Sequence, residues 1–148
     1  QLPDTLIPQL QAAVRYYDIG LLSVSESILS SKDSLNEEDR RHIRQHPEVG
    51  QRLVESIPEL SSIGDWILKH HERWDGAGYP GKLQGEEIPY LSRVLAVADA
   101  YESMTGTRVH RAPLSRIEAL AELERCAGSQ FDSDVVKAFQ EMLSFDEG

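Results

Sequence analysis

An all-α fold is what this sequence of 148 residues predicts, and three observations carry the prediction. Apolar residues recur at helical steps of three and four, as in Leu6, Leu10, Ala13 and Tyr17. Paired capping signals, Ser34 with Glu37 and Ser115 with Glu118, stand ahead of two such runs. No stretch alternates apolar and polar residues as a half-buried strand does, and there is no internal repeat or low-complexity segment. The length suits one domain over residues 1–148, built on a single core.

Asp4 is placed to cap the first helix, and Pro8 falls early in it, where a missing N–H costs least. Gly20 is expected to close that helix, two residues after Asp18. A short stretch from Leu21 to Leu29 leads into polar residues 30–34, and the Ser34–Glu37 box starts a helix that runs to about Gln45. Pro47 interrupts directly after His46, which puts His46 at a kink or helix junction. A second helical piece covers 48–56, and Pro58 breaks it. The next helix carries Ile63 and Ile67 into His70 and His71. Residues 73–90 read as one long glycine-rich loop holding Asp75 and Tyr79, and loops of that length in a compact chain tend to be functional. Ser92 to Met104 is an apolar helix with Asp99 inside it, followed by a linker, 105–113, that holds Arg108 and Arg111. The last two helices run from Ser115 to Gly128 and from about Asp134 to Leu143.

Composition narrows the function. With 25 acidic against 15 basic residues the formal charge is −10, which argues against binding DNA through its backbone. A nucleotide ligand would need a local basic pocket or bound cations. The one cysteine, Cys126, excludes an internal disulfide and fits a reducing, cytoplasmic setting. No apolar run approaches the roughly 18 to 20 residues of a membrane span, and no signal-peptide pattern opens the chain. A first residue of Gln reads as a piece of something longer.

Five side chains stand out for chemistry. Asp99, between Ala98 and Ala100, would be costly to bury unless paired or bound to a cation; otherwise it turns to water. Asp18 is a ligand or a helix-end turn residue, and His46 a ligand or a capping histidine. His70 and His71, beside the glycine-rich loop, suit a metal site meeting a polar substrate, or a solvated helix end. His42 and His110 read as surface residues. Together Asp18, His46, His70, His71 and Asp99 make a nitrogen and oxygen donor set with no thiolate. Such a set favours iron, manganese or zinc in a catalytic type of site, and two cations sharing a carboxylate suit phosphodiester cleavage.

The segments Asp18-Ile19-Gly20, Arg44-Gln45-His46-Pro47, His70-His71-Glu72-Arg73-Trp74-Asp75-Gly76-Ala77-Gly78-Tyr79-Pro80 and Val97-Ala98-Asp99 occur in the order and spacing of an HD-GYP domain. The tail Ala127 to Asp132 is similar as well, so the chain resembles that family over almost its whole length. The resemblance implies an HD-superfamily helical bundle with a long Gly-Tyr-Pro loop. It also implies a metal-dependent phosphodiesterase of bacterial signalling, which cuts cyclic di-GMP to pGpG or GMP with iron or manganese. Carried over, Asp18 becomes the bridging catalytic carboxylate, His46, His70 and His71 ligands of one metal, and Asp99 a ligand of its neighbour. Tyr79 would lie near the substrate. Arg108 and Arg111 would meet its phosphates or guanine, their alternative being solvated linker charges.

Three departures set this chain apart from the family it resembles. Tyr17 stands where the family has the His of its His-Asp pair, and a neutral phenol is a poor substitute for an imidazole ligand. Leu21 replaces a lysine that contacts the scissile phosphate. A first helix bearing another histidine ligand has no counterpart in these residues. One metal keeps four ligands, Asp18, His46, His70 and His71; the other keeps Asp99 and a share of Asp18. The expectation is a nucleotide- or partner-binding module with impaired phosphodiesterase activity. The alternatives are a working phosphodiesterase completed by an upstream helix, or a docking domain whose Gly-Tyr-Pro loop binds a GGDEF-type cyclase. Apolar surface beside the unfilled first-helix slot further implies a homodimer, or instability of this piece in isolation.

Overall fold

The computed structural model describes residues 3–31, 34–107 and 112–145. Eight α-helices lie among these residues: α1 Ile7–Tyr16, α2 Glu26–Leu29, α3 Glu37–Arg44, α4 His46–Glu55, α5 Gly64–Leu68, α6 Tyr90–Thr105, α7 Arg116–Arg125 and α8 Ser133–Phe145. No strand forms among them; two isolated bridges, Asp75 with Gln84 and Ala127 with Phe131, are the β contacts. The all-α expectation is therefore met. Contacts cluster into two compact units, Gln1–His71 and Glu72–Gly148.

In the first unit, α4 packs on α5 and on a 3-10 turn, Ile19–Ser23, while α1 also packs on α5. Ala13, Val54, Ile63 and Ile67 are almost wholly buried, each of the larger ones contributing about 1.5–3 kcal/mol by leaving water. The local signals were partly displaced. Asp4 does not cap α1; it opens a 3-10 turn, Asp4–Leu6, and α1 begins at Ile7 with Pro8 in its first turn. Asn36, not Ser34, caps α3, its side chain accepting from the Asp39 amide at 2.8 Å. That start places Glu37, Glu38 and Asp39 in the first turn and Arg41, His42 and Arg44 in the last, complementing the helix dipole. Pro47 does make His46 a junction: Gln45 closes α3 and leads straight into α4.

Gly20 corrects an expectation. α1 ends at Tyr16, four residues early, and Gly20 sits buried inside the following 3-10 turn. It serves close packing, since a Cβ there would fall 1.9 Å from the carbonyl oxygen of His46. α5 likewise stops at Leu68, so His70 and His71 lie in the turn beyond the helix. Ile7, Val14, Leu22 and Leu29 leave apolar surface exposed on this unit.

In the second unit, α6, α7 and α8 pack mutually around Val97, Met104, Ala119, Leu123, Phe131, Val135 and Val136. The rings of Tyr101 and Phe139 meet edge to face at 5.1 Å. Ser115 and Glu118 form the capping box that the sequence announces for α7. α7 ends at Arg125, short of the expected Gly128, which lies within the following turn at φ 74°, a left-handed position that suits glycine. Asp132 then starts α8, its carboxylate accepting from the Asp134 amide at 2.9 Å and from Arg93 at 2.8 Å.

The long loop ahead of α6 is irregular but tightly bonded. The buried carboxylate of Glu72 accepts from the amides of Gly81 and Leu83. Trp74 and Asp75 donate their amides to the carbonyls of Gln130 and Ser129. Arg93 lies over the rings of Trp74 and Tyr90. Among the described residues no helix is long and apolar enough to cross a membrane.

Candidate metal centre

Helix ends build the cluster. His46 is the first residue of α4, and its Nδ1 lies 2.6 Å from the carbonyl oxygen of Ile43 in the last turn of α3. His70 repeats the device: its Nδ1 lies 2.6 Å from the carbonyl oxygen of Ile67, in the last turn of α5. Terminal carbonyls of a helix lack intrahelical donors, so each imidazole satisfies one of them with its Nδ1–H. That bond fixes the tautomer and leaves an Nε2 lone pair facing the other way. His71 follows in the same turn as His70, and Asp18 arrives from the other side, just ahead of the 3-10 turn.

Their donor atoms converge. The Nε2 of His46 lies 3.4 Å from the Nε2 of His70, 3.3 Å from the Nε2 of His71 and 3.2 Å from Oδ1 of Asp18. The Nε2 of His70 is 3.9 Å from the same oxygen. One atom from each of the four residues lies within 4.8 Å of all the others. His46 and His70 are buried, while the Asp18 side chain keeps 42% of its exposure.

Burial keeps the His70 and His71 rings neutral. Burial pushes the His70 ring down to about 4; the positive charge of His46 adds to that, and the Ile67 carbonyl and Asp18 oppose it. Burial also pushes His71 down to about 3, helped by His70 and His46. Burial would raise the Asp18 carboxyl, but the hydrogen bond from His46 and the charges of all three rings bring it below the ordinary value. Neutral imidazole nitrogens directed at one another and at a carboxylate repel unless something electropositive lies among them. Three nitrogens and one oxygen at this spacing fit a divalent cation.

The other site residues fall differently. Asp99 belongs to α6 in the second unit and is half-buried there, not fully buried, and the four-residue cluster does not include it. Tyr79 is half-buried in the long loop, ahead of a cis peptide to Pro80. Arg108 and Arg111 lie outside the described residues, as does His110. Asp75 pairs with Arg73 at 2.6 Å and accepts from the Ala77 amide at 3.0 Å, so it shapes the loop. Tyr17 sets its ring edge to face against His70, centroids 5.4 Å apart. Leu21 lines an open pocket of about 480 Å³ whose walls include Arg15, Tyr17, Asp18, Leu22 and Leu29.

Sequence reasoning missed two contributors. Glu72, 4% exposed, ties the loop to the backbone that follows His71. A carboxylate between a histidine and an arginine gives no periodic sign that it is buried. Gly20 was assigned to the wrong task because its partner, the His46 backbone, is remote in sequence.

Comparison with known proteins fits this geometry. A family model described as "HD domain" matches residues 1–135. A cyclic di-GMP phosphodiesterase of Thermotoga maritima is 33% identical over 140 residues, 93% of this chain and 38% of that protein. Another, from Pseudomonas aeruginosa, is 34% identical over 140 residues, 94% of this chain and 34% of its own length. The chain thus spans little more than a third of these relatives. A crystal structure of a cyclic GMP-AMP specific phosphodiesterase from V. cholerae superposes with a TM-score of 0.71 at 16% identity, over 97% of this chain and 40% of that one. That likeness speaks for the fold.

Proposed function

The chain belongs to the HD-domain family, and we propose that it is an HD-GYP-type cyclic di-GMP signalling domain that holds one divalent cation and hydrolyses phosphodiesters poorly. The observation that carries this reading is the four-residue cluster of Asp18, His46, His70 and His71, lying against Tyr17 and three residues from Leu21. A bound cation would supply Lewis acidity at a phosphoryl oxygen, and iron or manganese is the expected metal. The three histidines would hold it through Nε2, and Asp18 would add the anionic donor and act as the catalytic carboxylate.

Binding a cyclic dinucleotide falls to other side chains. Tyr79 offers a ring and a hydroxyl, and Arg108 and Arg111 offer guanidinium forks for phosphate in a chain of net charge −10. Asp99 is the remaining candidate ligand for a second cation, in one domain spanning 1–148. Tyr17 supplies no imidazole to that second cation, and Leu21 supplies no charge to the phosphate. Each loss falls on the transition state more than on binding. A GGDEF-type partner for the Gly-Tyr-Pro loop, a homodimer and a cytoplasmic setting belong to the same proposal.

The relatives named as cyclic di-GMP phosphodiesterases favour a second reading, a working enzyme. Hydrolysis of cyclic di-GMP by wild type and by Tyr17→His with Leu21→Lys separates the two. Impairment predicts that the double variant gains at least about tenfold, as a restored charge contact in the transition state should. An unchanged rate would mean that these two positions are not what limits the activity.

A further inference from the structure

Gly20 sets how closely Asp18 approaches His46, and we infer that it is a positioning residue of the cation site; the inference rests on the cluster holding a cation, as proposed above. Gly20 is buried in the 3-10 turn that begins one residue after Asp18. A Cβ on it would lie 1.9 Å from the His46 carbonyl oxygen, 2.7 Å from the Gly50 amide nitrogen and 2.8 Å from the His46 carbonyl carbon. All three are backbone atoms of α4, so no rotamer change can make room. Gly50, on the facing side, is different: a Cβ there would meet the Ile67 side chain at 3.1 Å and the Gly20 nitrogen at 3.5 Å. A side-chain methyl can move aside by a few tenths of an ångström. Glycine is therefore demanded at 20 and only preferred at 50.

The yielding partner in a crowded contact is the softer one. His46 is 3% exposed, its ring is bonded through Nδ1 to Ile43, and Pro47 follows it in the first turn of α4. Asp18 precedes a turn of five residues and makes no side-chain capping bond there. A methyl at residue 20 must move about 1.5 Å to reach ordinary van der Waals contact with the His46 carbonyl. The turn would carry Asp18 with it and open the 3.2 Å approach of Oδ1 to His46 Nε2. Bonds of about 2 Å from carboxylate or imidazole to a cation tolerate no such displacement. The sequence Asp18-Ile19-Gly20 thus couples a donor to the glycine that seats it.

Titration of the full chain with cobalt(II), followed by its visible absorption, tests the assignment. Gly20→Ala should weaken cobalt binding by at least about tenfold, as loss of a group that orients a ligand does, and should alter the cobalt spectrum as Asp18→Asn does. If Gly20 works through Asp18, adding Gly20→Ala to Asp18→Asn should cost less than about threefold more, because residues acting on one interaction are not additive. Gly50→Ala, on the same packing surface, should bind within about threefold of wild type. Should Gly20→Ala unfold, cobalt-driven refolding reads the same affinity. Wild-type-like binding by Gly20→Ala, full additivity with Asp18→Asn, or a chain that stays unfolded at saturating cobalt would each overturn the assignment. A wild type that binds no cobalt would instead remove the cation reading beneath it.

Discussion

The two units treat their buried polar groups in opposite ways. In the second, Glu72 receives two backbone amides, and Asp132 receives Arg93 and the Asp134 amide. Donors and acceptors there match, and the loop ahead of α6 is held by them. In the first, three imidazole nitrogens and a carboxylate point at one another, with two of the rings anchored behind by helix-end carbonyls. A matched network is scaffold, whereas a convergence of acceptors is a receptacle for positive charge. The contrast separates the groups that shape this protein from those spaced to hold a cation.

Breaking the matched side should cost most in stability. Asp132→Ala leaves the largely buried Arg93 guanidinium without its carboxylate, and urea unfolding should report a loss of about 3–5 kcal/mol. A loss under 1 kcal/mol would show that the pair is screened and the network incidental. Glu72→Gln keeps the volume but turns one acceptor into a donor facing an amide. About 1–3 kcal/mol should be lost, and exchange at the Gly81 and Leu83 amides should quicken. Unchanged exchange would mean that the carboxylate does not hold the loop.

The cluster should respond to acid instead. His70 and His71 are held at about 4 and about 3, below the 6.5 of an ordinary imidazole. Between those values an unfolded chain binds more protons than the folded one, so stability falls as pH drops from about 6.5 toward about 3. For the same reason protons compete weakly for these two nitrogens, and cation binding should survive at pH 5, where free imidazole is protonated. Loss of bound cation already at pH 6 would mean that the rings are not held neutral.

Much of this was legible from local patterns. The His46-Pro47 break and the Ser115–Glu118 capping box need only neighbours in sequence, and both appear where the pattern puts them. The clustered histidines were legible through their motif, yet the helix expected to carry His70 ends at Leu68. That ending is what frees Nδ1 of His70 to reach the Ile67 carbonyl, a bond with no signature in residue type. Gly20 was misread because glycine serves both helix ends and close approaches, and only the remote His46 backbone decides between them. Asn36 displaced Ser34 because it gathers three acids into the first turn of α3. Asp99 shows the limit of hydropathy: its apolar neighbours suggest burial, but Ala98 and Ala100 are themselves only half-buried.

The central claim is a one-cation receptacle in the first unit, and elemental analysis of the purified chain reaches it most directly. After anaerobic addition of iron(II) or manganese(II) and removal of excess, the account predicts about one equivalent per chain, and none for a folded His70→Ala. No retained metal in wild type, or a full equivalent still held by His70→Ala, would contradict it.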